Sequence, residues 1–268
     1  MIAPKKSLGQ NFLKNDTVVA EIVKAGNVGA GDTVLEIGPG EGVLTAALLR
    51  AGATVLAVEK DDRLIPILKE KFFNYIAQNK LILVHKDILE FDPASFELQA
   101  ASYKLIANIP YYITGQILRQ FLGGGRQPTM MILMLQKEVA ERILGKDSRW
   151  PHSKESILSL SVKAYGRPSN IRTVAKGNFQ PAPSVDSAIL LIKDISKHFF
   201  KDFSENRFFE TVKKGFGQKR KMLKGNLGLS AETMEQCGLP IKARAEDLNL
   251  DQWKCLIREL ESQRQLKK

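Results

Sequence analysis

The sequence predicts an α/β protein, with a mostly parallel sheet covered by helices over its first two thirds and a small all-helical domain after it. Three observations carry this prediction. Short apolar runs alternate with segments of helical periodicity from Thr33 onward, the first run ends in Gly38-Pro39-Gly40, and strand signals stop near Ile195. Apolar strands separated by helices mark a sheet buried on both faces. The two domains are expected to span residues 1–194 and 195–268.

Thr33-Val-Leu-Glu-Ile37 is a short apolar run closed by glycines, the signature of a buried strand. Residues 42–51 read as a helix and residues 53–59 as the next strand. A helix is predicted over 62–75, where Leu64, Ile65, Ile67, Leu68 and Phe72 recur on one face. Residues 81–84, 103–107 and 130–135 supply three further strands. Residues 157–164 and 187–192 look like a closing pair, although the first also fits a helix. The C-terminal part reads as helices over 205–216, 219–227, 231–237 and 251–263.

Bulk properties narrow the function classes. The chain has 268 residues, 44% hydrophobic and 26% charged, ordinary values for a globular protein. No apolar run reaches the roughly 18 to 20 residues that span a bilayer. The N-terminus lacks the apolar stretch of a secretory leader, so a cytoplasmic protein without membrane association is expected. Cys237 and Cys255 have no metal-site spacing and read as reduced thiols. His85, His152 and His198 are widely separated, and no metal is expected. The formal charge of +11 favours a polyanionic partner. It is concentrated at Lys5 and Lys6 and again at Lys213, Lys214, Lys219, Arg220, Lys221 and Lys224, a distribution that suits nucleic acid better than scattered solubilising charge does.

Ligands of open α/β sheets bind beyond the carboxyl ends of the strands. The first such end here is Glu36-Ile37-Gly38-Pro39-Gly40-Glu41-Gly42, whose glycines permit a sharp turn and close backbone approach. A dinucleotide fingerprint would need glycine at Val43. The second strand ends in Glu59, able to accept both ribose hydroxyls of an adenosine-containing cofactor, though alone it also fits a solvated carboxylate. After the third strand, Asp87 could accept a hydrogen bond from the cofactor's adenine, with Ile88 packed on the ring. Glycine turn, acidic residue and aspartate in this order fit S-adenosylmethionine better than NAD.

The fourth strand ends in Asn108-Ile109-Pro110-Tyr111-Tyr112. The amino group of adenine is a poor nucleophile because its lone pair is delocalised into the ring. The Asn108 amide oxygen and the Pro110 carbonyl could each accept one of its hydrogens, drawing the nitrogen toward tetrahedral geometry. Proline fixes that carbonyl, and Tyr111 could stack on an unstacked base. Taken alone, the segment is also compatible with an ordinary Asn-X-Pro turn.

Seven segments in order resemble the ribosomal RNA adenine dimethyltransferase family, above all its small-subunit (16S) members. They are Lys5-Lys-Ser-Leu-Gly-Gln-Asn-Phe-Leu13, residues 36–40, Glu59, Asp87, residues 108–111, Asn178-Phe-Gln-Pro-Ala-Pro-Ser-Val-Asp-Ser187, and Phe216-Gly-Gln-Lys-Arg-Lys-Met-Leu-Lys-Gly-Asn-Leu227. The resemblance implies a Rossmann-like S-adenosylmethionine-dependent methyltransferase domain. It implies transfer to N6 of two adjacent adenines near the 3′ end of small-subunit rRNA in an immature subunit. A large-subunit enzyme of the macrolide-resistance type and an assembly or transcription factor retaining the fold are the competing readings.

By the same resemblance, Asn11 and Leu13 fold over the cofactor's methionine end and Gly38 contacts it. Glu59 holds the ribose and Asp87 the adenine, with Gly40, Lys60 and Ile88 completing the cofactor set. Asn108 contacts both cofactor and target, and Tyr111 and Phe179 flank the target base; from the sequence alone Phe179 reads as a core aromatic. Lys219, Arg220, Lys221 and Lys224 would contact RNA from a basic helix. Tyr112 departs from a common asparagine and Gly115 from a small hydroxyl residue. The basic, single-core character suggests a monomer.

Overall fold

The computed structural model describes residues 3–145, 154–218 and 220–265. Its central sheet has seven strands: β1 Thr33–Ile37, β2 Thr54–Glu59, β3 Leu81–His85, β4 Lys104–Asn108, β5 Met130–Gln136, β6 Arg167–Val174 and β7 Ser187–Lys193. Their order is β3-β2-β1-β4-β5-β7-β6. The first five are parallel, and β7 runs antiparallel between β5 and β6. The strand order reverses at β1, so β1 and β4 diverge there and open a crevice beyond their carboxyl ends.

The strands are buried because they are apolar on both faces. Val34, Leu35, Val55, Leu105 and Met131 through Leu135 are almost fully enclosed. Each such side chain contributes roughly 1.5–3 kcal/mol on burial. Helix α1 (Asp16–Ala25) begins where the Asn15 side chain accepts from the Thr17 and Val18 amides, and it packs Val18, Val19 and Ile22 inward. Helix α2 (Val43–Arg50) follows Gly42, whose φ of +77° and position against the Phe72 ring leave no room for a Cβ. The segment predicted as one helix over 62–75 is two, α3 (Leu64–Lys71) and α4 (Phe73–Ala77). Phe72 breaks it with φ −113° and ψ 21° as its ring turns into the core.

Two helices without a sequence forecast follow β4 and β5: α5 (Thr114–Gly123) and α6 (Lys137–Leu144). The expected closing strand over 157–164 is instead helix α7 (Ile157–Lys163), started by a reciprocal Ser156–Ser159 capping box. The closing strand is β6, which hides its character because it is an edge. It is largely exposed, carries Pro168, and shifts register between Asn170 and Arg172.

The chain divides into two compact units. One comprises residues up to Ala140 with Arg167–Ile195; the other comprises Glu141–Gly166 with the chain from Ser196. The second unit therefore takes residues 141–166 out of the domain predicted as 1–194. The reason is packing: Leu160 and Ala164 of α7 belong to a core with Phe208, Leu223, Trp253 and Ile257. The other helices of this unit are α8 (Glu205–Gly215), α9 (Leu223–Leu227), α10 (Ala231–Gln236) and α11 (Leu250–Gln265).

Cys237 and Cys255 are joined in a disulfide, with Cα atoms 5.7 Å apart, rather than standing as free thiols. The helix predicted over 219–227 begins only at Leu223. Lys219 lies outside the described residues, and Arg220 and Lys221 stand on the preceding turn. That turn is held from its side by Asn226 Nδ2, which donates to the Gly215 carbonyl at 2.7 Å and the Gln218 carbonyl at 3.2 Å.

Candidate active site

The carboxyl ends of β1, β2, β3 and β4 face one cavity, and residues 8–13 form another part of its wall. Asn11, Leu13, Gly38, Gly40, Glu59, Lys60, Asp87, Ile88, Asn108, Pro110 and Tyr111 all line it. Residues scattered over a hundred positions thus converge because parallel strands deliver their ends to one edge of the sheet.

The turn after β1 is built for close approach. The Gly38 amide donates to the Val58 carbonyl at 2.9 Å, and both Gly38 and Gly40 have positive φ. A Cβ at Gly40 would stand 2.9 Å from the Phe12 ring, so the residue must be glycine for residues 11–13 to pass over the turn. Glu59 fixes this geometry as well as facing the cavity. Its Oε2 accepts from the Gly40 amide at 3.1 Å and its Oε1 from the Asp61 amide at 2.8 Å. Burial raises its pKa, and the hydrogen bonds from the Asp61 and Gly40 amides oppose that rise. Each carboxylate oxygen retains a further lone-pair site for a ligand hydroxyl.

Beyond β3, Asp87 Oδ1 accepts from the Leu89 amide at 3.0 Å, while Oδ2 pairs with Lys60 Nζ at 2.6 Å. Burial pulls the Asp87 pKa upward, but Lys60 and the Leu89 amide outweigh it and the net shift is downward. Ile88 is buried, and its loop is pinned by Gln120 Nε2, which donates to the carbonyls of Ile88 (3.0 Å) and Phe91 (2.9 Å).

At the end of β4, Asn108 Nδ2 donates to the main-chain carbonyl of Asn11 at 3.0 Å. A carbonyl can only accept, so the amide nitrogen must face Asn11 and Oδ1 is turned away from it. The Pro110 carbonyl accepts from the Ile113 amide at 3.2 Å, which holds it in a tight turn and leaves its second lone pair. Tyr111 is half-buried, with its hydroxyl 2.7 Å from Ser187 Oγ. Burial raises its pKa, against the hydrogen bond from Ser187. Tyr112 is 60% exposed at the cavity wall beside Gly9.

Of the residues predicted for the cofactor and the target base, Phe179 is the one that does not line the cavity. It is only 5% exposed, paired with Leu13 in a two-residue antiparallel ladder and packed in the core. That position is the one the sequence alone suggests; the stacking role beside Tyr111 is what the family resemblance implies.

Sequence reasoning missed four residues here: Glu36, Gln10, Asp61 and Ser187. Glu36 carried a signal, being a lone acid inside an apolar strand. It is 1% exposed and lines the cavity, and neither carboxyl oxygen has a hydrogen-bond partner among the described residues. Burial, with the nearby Glu59 charge adding to it, pushes its pKa up to about 8 against the opposing influence of Thr45. The other three act through partners distant in sequence, and no local pattern announces them.

Arg220 and Lys221 are exposed on the turn before α9, and Lys224 is half-buried on α9. Among the described residues, no three His, Cys, Asp or Glu side chains gather as a metal site, and no helix is long and apolar enough to cross a membrane.

A family model described as ribosomal RNA adenine dimethylase matches residues 2–262. A ribosomal RNA small subunit methyltransferase A of Dehalococcoides mccartyi (strain ATCC BAA-2266 / KCTC 15142 / 195) is 39% identical over 263 residues, covering 94% of this chain and 88% of its own length. One from Clostridium botulinum (strain Loch Maree / Type A3) is 37% identical, with 92% and 90% covered. Among solved structures, a dimethyladenosine transferase from Plasmodium falciparum superposes with a TM-score of 0.79 at 24% identity, covering 94% of this chain and 98% of that one. The 23S rRNA methyltransferase ErmE superposes at 0.75 with 22% identity, covering 94% and 100%. These two structures bear on the fold alone.

Proposed function

The chain belongs to the ribosomal RNA adenine dimethylase family, and from that premise we propose that it transfers methyl groups from S-adenosylmethionine to N6 of two adjacent adenines near the 3′ end of 16S rRNA. Its substrate in this reading is an immature small ribosomal subunit, met in the cytoplasm by a monomeric enzyme.

The cavity fits the cofactor on its own chemistry. A glycine turn without side chains, a carboxylate at Glu59 and an unpartnered buried carboxyl at Glu36 leave polar capacity for an amino-acid end and a ribose. Asn11, Leu13, Gly38 and Gly40 would hold the methionine portion. Glu59 would hold the ribose, and Lys60, Asp87 and Ile88 the adenine. When bound, the cofactor supplies an electrophilic methyl group on sulfonium.

The observation that carries the reading is the orientation of Asn108. With Nδ2 committed to Asn11, Oδ1 is the atom left to accept a hydrogen from the target amino group. The free lone pair of the Pro110 carbonyl accepts the second. Two acceptors on one planar amino group pull its lone pair out of conjugation and aim it, which is catalysis by position and electrostatics. Tyr111 offers its ring as a stacking face for the base, with its hydroxyl fixed by Ser187. The attacking nitrogen would take the cofactor's methyl from the sulfonium sulfur, leaving a neutral thioether. The resulting cation would lose its proton to water, so none of these residues would need to act as a strong base. Arg220, Lys221 and Lys224, with Lys219, contact phosphates and position the RNA without reading sequence.

The large-subunit alternative is disfavoured because the 178–187 and 216–227 segments match small-subunit members, as do the names of the relatives at 36–41% identity. Methyl transfer to immature small subunits, with primer extension across the 3′ region of 16S rRNA, tests the proposal. Wild type should block extension at two neighbouring adenines. Asn108→Ala should lose transfer while cofactor and RNA binding partly survive. Full activity in that variant would remove the mechanism, and modification appearing only in large-subunit rRNA would move the substrate. An inert wild type that still binds subunits would favour the assembly-factor reading.

A further inference from the structure

We propose that Asp61 is a positioning residue for methyl transfer, setting the Asn108 amide through the N-terminal segment that crosses the cavity. The inference rests on the adenine-methylation reading above and deepens it.

The Asp61 side chain has no exposed surface, and it gathers donors from two parts of the chain. Oδ1 accepts from Lys5 Nζ (3.2 Å), the Arg63 amide (3.2 Å) and Arg63 Nε (2.9 Å). Oδ2 accepts from Gln10 Nε2 (2.8 Å) and Arg63 Nη2 (2.7 Å). Arg63 alone could compensate a buried carboxylate by its two-pronged contact. Lys5 and Gln10 are extra to that need; Gln10 lies in the wall and Lys5 just before it, in a stretch with little regular structure. That stretch holds a three-residue 3-10 turn at Lys6–Leu8, then Gly9 with φ +60°, before the two-residue pairing at Phe12–Leu13.

No helix or sheet ladder therefore fixes residues 9–11, and their position depends on anchors at either side. On one side, Gln10 is gripped twice: its Nε2 by Asp61 and its Oε1 by the Lys5 amide at 2.7 Å. On the other, Leu13 pairs with Phe179 and the Lys14 amide donates to the Asn178 carbonyl at 2.9 Å. The residue held between these anchors is Asn11, and its carbonyl is the acceptor that turns Asn108. The path runs from Asp61 through Gln10 and the Asn11 carbonyl to Asn108. Asp61 is also joined to Glu59 by its own amide, so one turn after β2 orients both the ribose carboxylate and the catalytic amide.

The test uses the full-length protein and the variants Asp61→Asn, Gln10→Ala and both together. Gln10 is a wall residue whose loss leaves the core intact, so it keeps the test open if Asp61→Asn folds poorly. For each, kcat and KM are measured on immature small subunits, and amide exchange is followed over residues 8–13. Each single variant should lower kcat on the order of tenfold, as sub-ångström misplacement of a catalytic group does. KM for RNA should stay within about twofold, and exchange should quicken at 8–13 while β1–β4 are unchanged. The double variant should fall no further than the worse single one, because both cut the same path. Unchanged kcat in Gln10→Ala, multiplicative losses in the double variant, or unaltered exchange at 8–13 would each overturn the proposal. A wild-type protein that transfers no methyl group would instead sink the functional reading, and the exchange measurement would still judge the anchoring.

Discussion

The hydroxyls of Tyr111 and Ser187 lie 2.7 Å apart, joining the turn after β4 to the first residue of β7. Ser187 is fully buried, so the bond is shielded from water and locks the ring that faces the cavity. Ser187→Ala would leave the Tyr111 hydroxyl short of a partner, at a cost of about 1–3 kcal/mol. Steady-state kinetics should show kcat/KM for RNA reduced about tenfold with cofactor affinity unchanged. Tyr111→Phe should retain more activity, since the base uses the ring face. Activity lost equally in the two variants would mean that the hydroxyl itself takes part.

Glu59 combines a ligand role with a structural one, which separates two substitutions. Glu59→Ala removes the acceptor for the Gly40 and Asp61 amides as well as any ribose contact. Hydrogen bonds to a charged acceptor are worth roughly 1.5–3 kcal/mol each. Calorimetry with S-adenosylhomocysteine should therefore show an affinity loss on the order of 10- to 100-fold, accompanied by a lower Tm. Glu59→Gln keeps one oxygen acceptor and should lose less of both. Unchanged affinity in Glu59→Ala would misplace the ribose.

Most of this frame can be read from the chain because buried parallel strands are apolar on both faces and end in recognisable turns. Thr33–Ile37 and its glycines announce themselves locally, while Glu59, Asp87 and Asn108 gain their meaning from standing in order at the ends of successive strands. The rest is long-range. Asp61 looks like one more surface acid beside Asp62 until Lys5 and Gln10 fold onto it, and Ser187 is an ordinary strand residue until Tyr111 meets it. Arg167–Val174 escaped notice because an exposed edge strand has no apolar pattern to read. Helix α7 was ambiguous because Ile157, Leu160 and Val162 satisfy a short strand as readily as one helical turn. Phe179 sits where its own apolarity puts it, in the core.

Glu36 gives a pH test with a definite sign. Its pKa in the folded protein is about 8, pushed up by burial from the usual value of 4.5. Between those values the folded state holds the proton more tightly than the unfolded one, so its stabilising effect is complete below about 4.5 and is lost as pH rises through 8. Glu36→Gln removes the titration. Chemical denaturation at pH 5 and pH 8.5 should find the variant close to wild type at the lower pH. At the higher pH it should be more stable than wild type, by an amount on the order of a few kcal/mol. Parallel stability curves for the two proteins would contradict a buried, proton-holding carboxyl.

The basic turn of the second unit can be tested through the salt dependence of RNA binding. Arg220 and Lys221 are exposed on the turn before α9. A solvated turn and a phosphate contact look alike in the free protein; they differ in how binding responds to salt. Each cation that neutralises a phosphate releases condensed counterions, steepening log K against log salt by roughly 0.7–0.9 per contact. Replacing Arg220 and Lys221 together by glutamate should weaken RNA binding and flatten that slope by about 1.5 or more. Because these residues would hold the backbone and not the reacting base, kcat at saturating RNA and cofactor affinity should remain at wild-type values. The turn should survive the change, since Asn226 holds it through the carbonyls of Gly215 and Gln218 rather than through either replaced side chain. A slope equal to wild type, with affinity intact, would return both residues to the solvent and leave RNA positioning to other basic residues of the chain.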